Sequence, residues 1–146
     1  AERHDLTICH REVQKAEMEA MSIVLGGALG GMARFWLADF AARRWHTRFP
    51  AGILFVNASG ALLAGAAAAL SIGGAAPPCA AVAPLVVIGF LGSYTTVSSF
   101  SLQTLALFHD GRAGQAAANI VASLVLTLGG VGLGWALVGW AAGGPT

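Results

Sequence analysis

Residues 89–101, Gly89-Phe90-Leu91-Gly92-Ser93-Tyr94-Thr95-Thr96-Val97-Ser98-Ser99-Phe100-Ser101, hold the densest set of ligand-capable groups in the chain. Seven of the nine residues from Ser93 to Ser101 carry a hydroxyl. Within a helix a hydroxyl can simply bond back to the carbonyl four residues earlier, so a few would mean little. This density stands in a tract, residues 51–108, without a single Asp, Glu, Lys, Arg or His. Polar residues there lie at membrane depth. Gly89 and Gly92 loosen a helix, and the β-branched run Thr95, Thr96, Val97 has low helix propensity. The segment is therefore expected to break its helix inside the bilayer, which is tolerated only where the backbone is buried in protein or lines a polar cavity. Broken helices of this kind recur at ion and substrate sites, so we expect the centre of a permeation or binding site here.

A second pattern lies near the C-terminus. Between residues 113 and 140 the only amide and hydroxyl side chains are Gln115, Asn119, Ser123 and Thr127, each four residues from the last. On a helix they form one slowly drifting stripe about 18 Å long. Such a stripe serves either as a row of interhelical hydrogen bonds or as a donor-bearing ion track, and the continuity from one interface favours the track. A lone amide, Asn57, interrupts the apolar residues 51–72. It reads equally as interhelical glue and as a pore-lining donor. Hydroxyls and amides can donate to an anion, and the positive edge of the Phe100 ring can do so weakly. Carbonyls exposed at a break could instead hold a small cation, and composition does not choose between the two ions.

These residues need four membrane-spanning elements to position them. The chain has 146 residues, 56% hydrophobic and 10% charged, against about 25% charged in a typical soluble domain. Its mean hydropathy is +0.71. A span takes about 20 apolar residues, so the expected architecture is all-α, a multi-pass membrane protein with spans at 21–42, 51–72, 82–108 and 113–140, the third broken at mid-membrane. Residues 1–20 carry eight charges of mixed sign and are read as a polar N-terminal extension, solvated or loosely helical, before the apolar run that opens abruptly at Met21. Arg34 and bulky residues follow that run where a cleavage site for a leader would need small residues. Span one holds two overlapping small-residue pairs, Gly26 with Gly30 and Gly27 with Gly31, where another helix should pack closely. Arg34 beyond them either snorkels to the interface or serves a vestibule. Arg43, Arg44, His46 and Arg48 with Trp45 and Phe49 form a basic, aromatic interfacial loop ending at Pro50, and Gly73 to Pro78 a turn.

Whole classes of function drop out. The spans contain no Asp, Glu, Lys or His unless Asp39 counts at the end of the first, so the intramembrane relays of proton-coupled carriers and pumps are missing. No nucleophile and base pair, metal-ligand set or phosphate-cradling loop suggests an enzyme. His4, Cys9 and His10 lack the four-ligand pattern of a structural metal site, Cys9 and Cys79 imply no disulfide framework, and a net charge of +1 points to no nucleic-acid partner.

At these residues the sequence resembles the Fluc (CrcB) family of fluoride channels over nearly all of residues 21–140. The run from Gly26-Gly27 to Arg34 is similar to the family's first-span glycine and arginine pattern. Gly52 to Asn57 resembles its Gly-Thr-x-x-x-Asn segment, and Gly89 to Ser101 its Gly-x-x-Gly-Gly-x-Thr-Thr-Phe-Ser-Thr-Phe-Ser signature. The resemblance implies a passive fluoride-exporting channel in the cell (inner) membrane, an antiparallel dual-topology dimer enclosing two pores. It also implies an ion pathway of Asn57, Val97, Ser98, Phe100, Gln103, Asn119, Ser123 and Thr127. Phe100 would be the second phenylalanine of the anion-coordinating box, and Gly92 and Thr95 the carbonyl donors to a structural sodium ion. Five positions depart from the pattern: Val97 for the first box phenylalanine, Ser93 for the second glycine, Ile53 for the threonine before the asparagine, Gln103 for a glutamate and Asn119 for a tyrosine. An aliphatic Val97 has no polarised ring edge, which leaves a homodimer and a heterodimer with a complementary homologue both open, as well as a non-conducting subunit. Arg3, Arg11 and Lys15 face Arg43, Arg44, Arg48 and Arg112 across the membrane, a weak orientation bias compatible with insertion both ways. A small four-span multidrug carrier would need an acidic residue within span one, for which Asp39 is the sole candidate.

Overall fold

A computed structural model describes residues 2–45, 49–72 and 83–141, with the side chains of residues 2–10, Trp45 and Ile72 left aside. All regular structure among these residues is helical: α1 (Glu2–Trp45), α2 (Ala51–Ile72), α3 (Pro84–Leu91), the single turn α4 (Gly92–Tyr94), α5 (Val97–His109) and α6 (Ala113–Ala141). Four helical stretches are long and apolar enough to cross a membrane: Arg11–Arg44 within α1, Ala51–Ser71 within α2, Pro84–His109 across α3 to α5, and Ala113–Ala141. The first of these stretches is longer than the span expected at 21–42. No helix boundary falls at Met21, because α1 runs unbroken from Glu2, and its residues 11–18 are exposed. Helix-favouring Glu, Gln, Lys, Ala and Met fill residues 12–21, with neither Gly nor Pro to stop the helix. At about 66 Å it is more than twice as long as a hydrocarbon core is thick. The expected turn at Gly73 to Pro78, the start of span three at Val82, Cys79, and His46 and Arg48 of the interfacial loop lie outside the described residues, as do the side chains of His4, Cys9 and His10.

Two backbone-to-backbone crossings hold the bundle. Alpha helices in lipid gain little from hydrophobic burial against one another, so close approach over small residues is what makes them pack. At the first crossing α1 lies against α3. A Cβ on Gly26 would fall on the Leu85 carbonyl, one on Gly30 on the Phe90 carbonyl, and one on Gly89 would stand 2.6 Å from the Ile23 carbonyl. Gly89 therefore serves this close contact with α1. Of the overlapping pair, Gly27 approaches Ser93 Oγ, while among the described residues nothing lies within 4 Å of a Cβ on Gly31. The second and most extensive crossing joins α2 to α6. Gly65 meets the Val131 carbonyl, Gly134 the Leu62 carbonyl, and Gly130 the Ala58 carbonyl at 3.1 Å.

The third span departs from regular α-helix twice. Its first half, Pro84–Leu91, is wound as a π-helix, which widens the turn where α1 presses against it. Then Thr95 (φ −79°, ψ 152°) and Thr96 (φ −151°, ψ 124°) are extended, and α5 restarts at Val97. Outside the bundle, many large apolar side chains are exposed, among them Leu29, Phe35, Trp36, Leu128 and Trp140. In a chain of this composition that surface belongs to lipid or to other protein.

Candidate functional site

The break is held from α2. Asn57 Nδ2 donates to the Thr96 carbonyl and Thr96 N donates to Asn57 Oδ1, both at 2.9 Å. The primary amide thus acts as a one-residue strand partner for the extended backbone. Its second N–H is left over, on a side chain that lines a cavity of about 550 Å³. Thr96 is buried and caps α5: its Oγ1 accepts from Ser99 N at 3.2 Å and lies 3.0 Å from Ser98 Oγ. A hydroxyl N-cap satisfies one of the donors that a helix start leaves free.

These two side-chain bonds have a consequence for the carbonyls. In an unbroken helix Thr96 N would donate to the Gly92 carbonyl and Ser99 N to the Thr95 carbonyl. Here Thr96 N goes to Asn57 and Ser99 N to the Thr96 hydroxyl. The carbonyls of Gly92 and Thr95 lose their helical donors, and both residues line the same 550 Å³ cavity. Neutral oxygens without an N–H partner suit a small hard cation. Among the described residues no neighbour lies within 4 Å of a Cβ built on Gly92.

The other pathway candidates are distributed over several places. Asn57, Val97 and Thr127 share the 550 Å³ cavity, and Val97 is 77% exposed. Phe100 instead lines a separate 500 Å³ groove between α5 and α6, with Thr104, Ala116 and Ile120. Ser98 is exposed beside the cap. Gln103 faces a small 100 Å³ cavity at the α1–α2 corner, beside Gly52 and Ile53, with its Oε1 buried and without a hydrogen-bond partner among the described residues. Along α6, Gln115 is exposed and bonded to Arg112, Asn119 and Ser123 are buried, and Thr127 is half-buried with its hydroxyl on the Ser123 carbonyl at 2.6 Å. Asn119, 2% exposed, donates to Thr104 Oγ1 at 2.8 Å, which in turn donates to the Phe100 carbonyl at 2.8 Å. Ser123 Oγ is buried with no hydrogen-bond partner among the described residues. Arg34 is half-buried on α1. Asp39 pairs with Arg43 at 2.8 Å on an exposed stretch of the same helix, an ordinary i, i+4 surface pair.

A family profile described as CrcB-like protein, Camphor Resistance (CrcB), matches residues 21–135. The chain belongs to the CrcB family. Among its relatives, a protein named fluoride-specific ion channel FluC 2 from Rhodopseudomonas palustris (strain BisB18) is 49% identical over 116 residues, 78% of this chain and 88% of the relative. One named fluoride-specific ion channel FluC from Methylococcus capsulatus is 44% identical over 118 residues, 80% of this chain but 51% of that longer relative. A third, named fluoride-specific ion channel FluC 3 from Brucella suis biovar 1, is 42% identical over 125 residues, 84% of this chain and 94% of the relative. These CrcB relatives carry the names of ion channels, not of enzymes.

Within this CrcB chain, reading the sequence missed four residues that build the site. Thr96 was one hydroxyl among seven, although a Thr followed by a helical run is an N-cap signal. Thr104 sits four residues after Phe100 and bonds back to its carbonyl, and nothing in the sequence marks it as the acceptor for Asn119 as well. Ser59 and Tyr94 lie 2.8 Å apart, oxygen to oxygen, across 35 residues of sequence. No local pattern announces that contact.

Proposed function

We propose that this chain forms a passive, fluoride-selective channel that exports the ion and lowers its cytoplasmic concentration. In this reading two copies assemble as an antiparallel, dual-topology dimer in the cell (inner) membrane, with a structural sodium ion at the dimer centre and the helix break at mid-membrane. The observation that carries the reading is the clasp at the break, where Asn57 turns Thr96 out of the helix and lines the cavity. The names of the CrcB relatives supply the ion.

The chain's own groups divide the work by chemistry. The free N–H of Asn57 and the hydroxyl of Ser98 donate to an anion that has lost part of its water, and hydrogen bonds to an ion are the strong ones; Thr127, whose hydroxyl donates to the Ser123 carbonyl, must turn away from that carbonyl to join them. The Phe100 ring edge adds a weaker positive contact. Asn57 and Phe100 line different cavities in one chain, and in this reading a second copy completes the single path that uses both. The carbonyls of Gly92 and Thr95 would hold the sodium, and a bound cation there would supply fixed positive charge close to the anion path. In this reading transport is passive, and the acidic candidate of span one, Asp39, is paired with Arg43 on the surface. That pairing also disfavours a proton-coupled carrier.

Val97 supports a second reading. It stands 77% exposed beside the cavity and presents no ring edge, so a heterodimer in which a homologue contributes the aromatic side chain is the alternative assembly. One experiment separates the two: fluoride efflux from liposomes holding this chain alone, with sodium present and chloride as the control anion. Rapid loss of fluoride without chloride is expected, abolished by Asn57→Asp and slowed by Phe100→Ile. Folded protein without flux would overturn the homomeric channel and leave the heteromeric or non-conducting subunit.

A further inference from the structure

Two extended residues in the middle of an apolar helix need a reason not to close up. The competing state is a continuous helix in which Thr96 N returns to the Gly92 carbonyl and Ser99 N to the Thr95 carbonyl, each exchanging its side-chain acceptor for a backbone one. Three features of α2 oppose closure. Asn57 holds Thr96 by two bonds of 2.9 Å. Gly60 offers a bare surface to the break, for a Cβ there would overlap the Thr95 methyl and stand 3.1 Å from Tyr94 Cδ1. Ser59 Oγ lies 2.8 Å from the Tyr94 hydroxyl and also donates to the Val56 carbonyl at 3.0 Å. At about 100° per residue, Gly60 falls between Ser59 and Asn57 around the helix. The chain from Tyr94 to Thr96 therefore crosses α2 over Gly60 and is pinned on both sides.

Tyr94 is well placed to be the second pin. It is 6% exposed, and its ring stacks on Phe90 with centroids 5.6 Å apart and planes 10° from parallel. A buried phenol hydroxyl is stable only with a partner, and Ser59 is that partner. Neither side chain lines the cavity that Asn57, Gly92 and Thr95 share, so the pair can affect an ion there only through the backbone.

We propose that Ser59 and Tyr94 are positioning residues which, together with Asn57, keep the carbonyls of Gly92 and Thr95 free of helical donors before any cation arrives. This rests on the sodium reading above. The site is then built in advance by α2 rather than pulled open by the ion, and weakening the seat raises the sodium concentration needed to fill it.

Sodium-dependent thermal stability of the purified full-length chain tests this, with N-methylglucamine holding ionic strength constant. Wild type is expected to gain Tm as sodium rises. Tyr94→Phe keeps the ring and its stack but removes the hydroxyl, and Ser59→Ala removes the other side of the same bond. Each should shift the sodium midpoint upward about five- to tenfold, the effect of losing roughly one hydrogen bond. The double variant should shift it no further, and fluoride flux at saturating sodium should persist. If wild type shows no sodium dependence, the sodium reading itself fails and the proposal goes with it. If wild type responds and both variants titrate at the wild-type midpoint, the positioning role is overturned, and any lower Tm without sodium is packing alone.

Discussion

Gly60→Ala adds one methyl group beneath the break, and its effect can be worked out from the geometry. Helix propensity alone would make the change favourable by about 1 kcal/mol, because Gly is the poorer helix former. Against that, the new Cβ would overlap the Thr95 methyl and come within 3.1 Å of Tyr94 Cδ1. Restoring ordinary van der Waals contact requires the break to lift off α2 by about 1 Å. A shift of that size takes the two 2.9 Å bonds between Asn57 and Thr96 out of hydrogen-bonding range. Losing both costs about 2 kcal/mol, and the overpacking of Tyr94 about 1 kcal/mol more. The net result is a destabilisation of about 2 kcal/mol, or roughly 4–8 °C in Tm. Fluoride efflux should fall with it, since the lifted break releases the Asn57 amide and lets Thr96 N return to Gly92. Differential scanning fluorimetry of the detergent-purified chain and liposome efflux are the assays. Gly31→Ala is the control, with nothing among the described residues within 4 Å of its Cβ, and should hold or raise Tm. A Gly60→Ala protein with wild-type Tm and wild-type efflux would refute the reasoning.

Two further substitutions probe the frame around the site. Gly134→Val places a branched side chain where even a Cβ would overlap the Leu62 carbonyl. It should separate α2 from α6 and destabilise by more than Gly60→Ala, seen as loss of a monodisperse peak in size-exclusion chromatography or a larger drop in Tm. Asn119→Leu removes the donor to Thr104 Oγ1 from a residue that is 2% exposed. Thr104 keeps its own bond to the Phe100 carbonyl, so the expected loss is modest, about 1–2 kcal/mol by thermal unfolding. A loss of fluoride flux in that variant, with Tm close to wild type, would instead assign Asn119 to the ion track.

Much of this architecture was legible from local patterns. Long apolar tracts gave four spans, the glycine spacing at Gly26 and Gly30 marked a close crossing, and the hydroxyl-rich run marked the break. Each of these signals is carried by neighbours in sequence. Legibility failed where the deciding partner was remote. Gly27 and Gly31 have the same spacing as Gly26 and Gly30, yet only Gly27 of that pair meets another helix, because a helix presents one face to one neighbour. Gly89 looked like a loosening glycine, and its packing role is visible only once α1 lies across it. The resemblance alone put Gln103 in the ion pathway, and only the fold shows that its side chain lines the corner between α1 and α2.

Asn57 shows the division most clearly. Sequence by itself determined that an amide stood alone in an apolar helix, and that such a group must find a partner, since an unpaired amide in a low-dielectric interior is costly. It also determined that a β-branched, glycine-flanked run would resist the helix somewhere between Gly89 and Val97. What it could not say was that these two demands answer each other. Only the tertiary structure decided that Asn57 takes the N–H of Thr96 and so frees the carbonyl of Gly92, because that bond joins residues 39 apart. Secondary structure follows from interactions within a few residues, but the partner of a buried polar group is chosen by the packing of whole helices.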